Sequence, residues 1–152
     1  LNPELVIMDE PTTALDVVVQ RTIIEKIEDL REIFKFSVIF ITHDLSLLVE
    51  ISDKLAIMYG GTIVELGPAD EIYGNPYHPY TKGLMNSFPP LMGDMDDFMG
   101  IPGKPPNLLD LPGGCRFHPR CPKKMDICEK EEPKLIEIEP GHLVSCHLYL
   151  QE

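Results

Sequence analysis

The chain has 152 residues, 43% of them apolar, and carries 13 basic against 25 acidic side chains for a net charge of -12. That length and apolar fraction suffice for one ordinary domain with a core. The acidic balance argues against nucleic acid as a partner and against direct adhesion to anionic lipid, since both need concentrated basic residues.

In chain order, the first element is a strand over residues 4–9, where Leu5-Val6-Ile7-Met8 gives four consecutive apolar residues before Asp9 and Glu10. Such a run predicts a strand buried on both faces. A helix follows with Asp16 as N-cap. Its apolar face is predicted to be Ile23, Ile27, Leu30 and Phe34, with Glu25, Glu28, Asp29 and Glu32 lying off it. Residues 37–42 read as a second buried strand, and Asp44 then caps a short helix through Ile51. Residues 54–59 and 62–66 form a predicted hairpin about Gly60-Gly61. Strand, helix and strand at these lengths make a parallel βαβ unit.

The composition changes near Gly67. Only Pro3 and Pro11 of the 15 prolines lie before it, and all four cysteines lie after Gly114. Residues 1–67 are therefore read as a regular α/β segment. Residues 68–152 are read as a loop-rich appendage, with short helices at about 68–74 and 79–87 and then proline-rich coil, that leans on the first part or on a staple. Met92, Met95, Phe98 and Met99 fall three and four apart, which predicts a small apolar face covering the core. The longest apolar runs are much shorter than the roughly 20 residues a membrane-spanning helix needs. The opening Leu1-Asn2-Pro3 carries neither a Met nor a signal peptide and reads as a cut.

Ligands of open parallel sheets sit at the carboxyl ends of strands. Asp9-Glu10 and Thr42-His43-Asp44 fall at two such ends of one βαβ unit, so they can share a rim. An acid on a rigid strand end suits Mg²⁺ bound to phosphates. A second acid can orient or deprotonate a water, and a neighbouring histidine can hydrogen-bond a terminal phosphate. Each motif alone would be an ordinary solvated strand end. Together, Leu5-Val6-Ile7-Met8-Asp9-Glu10-Pro11-Thr12-Thr13-Ala14-Leu15-Asp16 and Ile41-Thr42-His43-Asp44 resemble ABC-type ATPases.

That resemblance implies the carboxy-terminal half of a P-loop nucleotide-binding domain, with residues 68–152 as an extension. Asp9 would be the Walker B acid that holds Mg²⁺ through water, and Glu10 the catalytic base. Ala14-Leu15-Asp16 would be the loop that touches an opposing subunit and its nucleotide, and His43 the switch histidine on the γ-phosphate. The cofactors implied are ATP and Mg²⁺. The partners implied are a second ATP-binding subunit, head to tail, and membrane permeases, at the cytoplasmic face of the cell membrane.

No Gly-x-x-x-x-Gly-Lys-Ser/Thr phosphate loop occurs. Around Gly103-Lys104, Phe98 and Pro105 occupy the positions that need glycine and a hydroxyl. Leu111-Pro112-Gly113-Gly114 has proline where the ABC signature has serine. The 152-residue chain alone is therefore predicted to be inactive. The resemblance also implies that the strand between those ending at His43 and starting at Lys54 comes from elsewhere, so this chain alone is predicted to self-associate through exposed strand edges.

Gly74-Asn75-Pro76-Tyr77-His78-Pro79-Tyr80-Thr81-Lys82-Gly83-Leu84 resembles the His-Pro-Tyr-Thr segment of the oligopeptide and dipeptide branch. Its own chemistry predicts only packing, with Pro79 opening a helix and Tyr80 and Leu84 turned inward. The four cysteines, Cys115, Cys121, Cys128 and Cys146, contain no Cys-x-x-Cys pair, which zinc sites usually have. Widely spaced cysteines in loops suit an iron–sulfur cluster. Arg116, Arg120, Lys123 and Lys124 lie among them and are expected to lower the thiol pKa values. The segments 114–122 and 141–148 resemble the tail of dipeptide-importer ATPases, which implies a [4Fe–4S] cluster. Zinc, with His118, His142 or His147 substituting, is the alternative, followed by disulfides in oxidised protein. Two other readings remain open here: a DNA-repair ATPase of the same class, and a free-standing metal-binding regulatory module.

Overall fold

A computed structural model describes residues 2–87 and 100–150. The methionine face at Met92, Met95 and Met99 lies outside the described residues. The chain divides into two compact units, residues 1–50 and 51–152. The division falls before the composition change at Gly67, so the hairpin groups with the tail.

The first unit holds β1 (Leu5–Asp9), α1 (Val17–Phe34), β2 (Ser37–Ile41) and most of α2 (Leu45–Ile51). β1 and β2 pair in parallel with Leu5 opposite Ser37 and Asp9 opposite Ile41, which is the βαβ unit expected. Asp16 caps α1 by accepting hydrogen bonds at 3.0 Å from the Val18 and Val19 backbone N–H groups. Lys35, in the left-handed region at φ 56°, ends it.

Two expectations for this unit fail. The strands are not buried on both faces: Leu5, Ile7, Ile39 and Ile41 are exposed, whereas Val6, Met8, Val38 and Phe40 are half-buried. Among the described residues of the unit nothing covers the first of these faces, and an apolar run does not itself supply a second layer. On α1 the buried residue is Ile24, flanked by half-buried Gln20, Ile23 and Ile27, while Leu30 and Phe34 are exposed. The helix is thus covered over its first half only.

The second unit is built on a four-stranded antiparallel sheet in the order β3-β4-β6-β5, where β3 is Lys54–Tyr59, β4 Thr62–Pro68, β5 Ile136–Glu139 and β6 His142–Val144. Gly60 and Gly61, at φ 57° and 84°, close the β3–β4 hairpin, because a two-residue turn matching strand twist needs two left-handed positions. The tail is therefore not merely coil: residues 136–144 return to extend the hairpin's sheet. Short α3 (Ala69–Gly74) and α4 (Pro79–Met85) match the helices expected. Leu55, Ile57, Tyr59, Val64, Ile72, Phe117 and Val144 form the core. Within it, Tyr59, Tyr80 and Phe117 pack ring against ring at centroid separations of 4.6–5.4 Å. β2 and β3 belong to different sheets.

Candidate functional site

The parallel register of β1 and β2 ends both strands together and sets Asp9 opposite Ile41. The Glu10 backbone N–H continues the ladder to the Ile41 carbonyl at 2.8 Å. The chain then turns sharply: Thr13 N–H donates to the Glu10 carbonyl and Leu15 N–H to that of Thr12, each at 3.2 Å. Glu10 and Ala14 adopt φ of 45° and 65°. A non-glycine residue in this region is held there by its surroundings, and such positions gather at functional sites.

The turn brings the Glu10 carboxylate to His43, with Oε1 3.3 Å from Nδ1. The Thr13 hydroxyl donates to the other oxygen at 2.8 Å. The Thr13 bond, followed by that of His43, holds the Glu10 carboxyl below the usual carboxylate range. Asp44 accepts from the Ser46 hydroxyl, from the Gln20 side-chain amide at 3.1 Å and from the Leu47 N–H at 3.3 Å. These bonds, led by Ser46, lower its pKa.

Asp9, Glu10 and His43 thus share one exposed rim. Asp9, a hard oxygen donor on a strand end, fits a hydrated Mg²⁺ ion. Asp16 lies at the start of α1, where it caps the helix. Thr13 and Gln20 were not singled out from the sequence. A hydroxyl three residues after an acid is a recognisable turn signal, but Gln20 offered none.

All four cysteines lie in the second unit, where Cys128 and Cys146 are buried and Cys115 and Cys121 half-buried. Burial, with a smaller contribution from Cys115, Cys121 and Cys128, pushes the Cys146 thiol up to about 11. Burial likewise raises Cys115, with Cys128 and Cys121 adding to it. Cys121 is raised by burial, and Lys123 lowers it only in part. The expected lowering by nearby cations is therefore overturned by desolvation. Arg116 does not face the thiols: it donates to the Gly60 carbonyl in the hairpin turn. Arg120 donates to the Pro102 and Ile101 carbonyls at 2.7 and 3.0 Å, and Lys124 pairs with Glu129.

Gly114, at φ 64°, permits the loop to close, because a Cβ there would lie 2.4 Å from the Cys128 carbonyl oxygen. The same closure gives a Cys115 N–H to Cys128 carbonyl bond of 2.8 Å. All four cysteines are free thiols. Among the described residues, no group of three or more His, Cys, Asp and Glu side chains is placed to hold a metal ion. His118, His142 and His147 have other partners: the Cys115 carbonyl, Glu65 and the Glu131 carbonyl respectively.

A third feature was not anticipated. Glu65, on β4, is fully buried. It accepts from the backbone N–H groups of Tyr77 and His78 at 2.7 and 2.9 Å, and its Oε1 lies 2.8 Å from His142 Nε2. One carboxylate thereby fastens the Tyr77-His78-Pro79-Tyr80 segment to β4 and β6. His78 caps α4 by accepting from Tyr80 N–H at 3.0 Å, and burial lowers its pKa to about 4.

Residues 64–128 match the family model described as the oligopeptide/dipeptide transporter, C-terminal region. The chain is 48% identical over 149 residues to a dipeptide transport ATP-binding protein of Caldanaerobacter subterraneus subsp. tengcongensis, covering 98% of this chain and 46% of that protein. The chain is therefore similar, over nearly its whole length, to the carboxy-terminal part of oligopeptide and dipeptide transport ATP-binding proteins. Oligopeptide transport ATP-binding proteins of Bacillus subtilis and Escherichia coli are 45% and 46% identical over 151 residues, which cover 99% of this chain and 46% and 44% of theirs. The chain spans about half the length of the curated relatives it matches.

In this chain the His-Pro-Tyr segment is a buried joint, and His78 is its helix cap. A histidine kept neutral by burial makes the fold acid-sensitive. Its folded pKa of about 4 lies below the ordinary histidine value of 6.5, so between these pH values the unfolded chain binds the extra proton. Stability rises with pH across that window and is lost on acidification, by about 3 kcal/mol at full effect. Urea unfolding from pH 7 to pH 4 should show this slope. His78→Asn, which can still accept the Tyr80 N–H but does not titrate, should flatten it.

Proposed function

We propose that this chain supplies the Walker B, opposing-subunit loop and switch-histidine part of an ATP-binding subunit that drives oligopeptide or dipeptide uptake through membrane permeases. The observation that carries the reading is the Glu10–His43 pair at the ends of neighbouring parallel strands, beside Asp9. The names of the relatives add the substrate class.

In this reading the chain divides functionally into an ATPase portion over residues 1–67 and a transporter extension over residues 68–152. Asp9 holds Mg²⁺ through water, and the ion neutralises phosphate charge when bound. Glu10, kept anionic by its hydrogen bonds, accepts a proton from the attacking water. The water oxygen bonds to the γ-phosphorus as the bond from the bridging oxygen to that phosphorus breaks, leaving ADP and phosphate. His43 donates to a γ-phosphate oxygen, where charge is redistributed. Asp16 lies on the loop that meets a second ATP-binding subunit and its nucleotide, in a head-to-tail pair. The phosphate loop is supplied outside these 152 residues, so this chain alone does not turn over ATP and self-associates through its strand edges. No helix among the described residues is long and apolar enough to cross a membrane, and the assembly works at the cytoplasmic face of the cell membrane beside its permeases.

In the extension, Cys115, Cys121, Cys128 and Cys146 would be the ligands of a [4Fe–4S] cluster. Support comes from the resemblance of segments 114–122 and 141–148 and from four free thiols in one loop-rich unit, which would lose their protons on binding iron. Zinc would need a tight tetrahedron at about 2.3 Å from each sulfur.

Peptide uptake tests the function. Cells lacking the intact protein should fail to accumulate a labelled dipeptide or oligopeptide, and the intact gene should restore uptake while its Glu10→Gln form does not. Full uptake with Glu10→Gln would contradict the reading.

A further inference from the structure

Glu10 could point its carboxylate in several directions, because its side chain is about half exposed and has three rotatable bonds. One oxygen lies 3.3 Å from His43, a long and weakly constraining contact. The other receives the Thr13 hydroxyl at 2.8 Å. Thr13 is itself fixed by the turn it closes, through its N–H to the Glu10 carbonyl. The hydroxyl and the carboxylate therefore belong to one short ring of backbone and side chain. The left-handed φ values of Glu10 and Ala14 bracket that ring and persist only if something holds them. A β-branched residue restricts its own χ1, so threonine aims its hydroxyl with little further loss of freedom.

We infer that Thr13 is a positioning residue, whose hydroxyl fixes the Glu10 carboxylate in the orientation that receives the proton of the attacking water. This rests on the reading of Glu10 as the base. The Thr13 bond engages Oε2 and leaves Oε1, on the His43 side, as the oxygen that meets the water.

The test uses the intact ATP-binding protein with Thr13→Val, Thr13→Ala, Thr13→Ser and Glu10→Gln, measuring kcat and KM for ATP. Loss of orientation without loss of the base should lower kcat about tenfold in the Val and Ala forms while KM changes less than about twofold. Thr13→Ser keeps the hydroxyl and should recover most of kcat. Unchanged kcat in either Thr13→Val or Thr13→Ala, or a Ser form as slow as these two, would overturn the role of the hydroxyl. A fall in kcat matched by a rise in KM would assign Thr13 to nucleotide binding and overturn it as well. Glu10→Gln separates the two claims. If Glu10→Gln turns over ATP normally, the assignment of the base fails and takes Thr13 with it. If Glu10→Gln is inactive and Thr13→Val is not, the inference about Thr13 alone fails.

Discussion

Replacing Glu65 with alanine should unfold the second unit at much lower denaturant than the parent protein, by about 3–5 kcal/mol, because three buried donors lose their acceptor. The reason is the number of groups that depend on it. Two backbone N–H groups, from Tyr77 and His78, and the His142 ring all end on this carboxylate. Each buried donor left without an acceptor costs about 1–3 kcal/mol, and water cannot readily reach a position with no exposed surface. Glu65→Gln should cost less, since one oxygen still accepts while the new amide faces donors. The check is urea or guanidinium unfolding followed by far-UV circular dichroism. A midpoint unchanged in Glu65→Ala would show that the carboxylate is not the joint between β4, β6 and α4.

The second large effect concerns the cysteines. Protein prepared without air should be brown and contain about four iron and four sulfide per chain. Serine at Cys115, Cys121, Cys128 or Cys146 should lower both to below about one per chain, because each thiolate holds a different corner. Iron chelation should also lower the unfolding midpoint of the extension, since a group that binds only the folded state stabilises it by mass action. Colourless protein with one zinc per chain would assign the thiols to zinc, and colourless protein without metal would remove both.

Much of the chain's course was legible in the sequence because its signals are local. Asp16 before an apolar-periodic run, Gly60-Gly61 between two apolar stretches and Pro79 after His78 each name their own structure within a few residues. The strand-end rim was legible for a related reason: Asp9 and His43 each follow an uninterrupted apolar strand, and parallel pairing brings such ends together.

What escaped was long-range. Residues 136–139 and 142–144 extend the hairpin's sheet across about 70 residues of chain, and nothing in Ile136-Glu137-Ile138-Glu139 says which edge it will join. Nothing in Thr62-Ile63-Val64-Glu65-Leu66 marks Glu65 for burial. Its burial follows from the arrival of Tyr77, His78 and His142, which lie 12, 13 and 77 residues away in sequence. The thiols were misjudged because burial, which raises Cys115, Cys121 and Cys146, is not visible in sequence, while Arg116 and Arg120 donate to carbonyls elsewhere. The exposed side of β1 and β2 was misjudged because an apolar run reports what a strand can bury and not what is present to bury it.

The proposed mechanism turns on Glu10 as the base for ATP hydrolysis in the intact protein. The direct measurement is steady-state phosphate release beside equilibrium ATP binding, for the parent protein and for Glu10→Gln. Removing a general base costs about 100-fold or more, while the substitution leaves Asp9 and the nucleotide contacts in place. The account predicts phosphate release lowered at least about 100-fold with ATP still bound at parent affinity. Phosphate release at the parent rate in Glu10→Gln would contradict it.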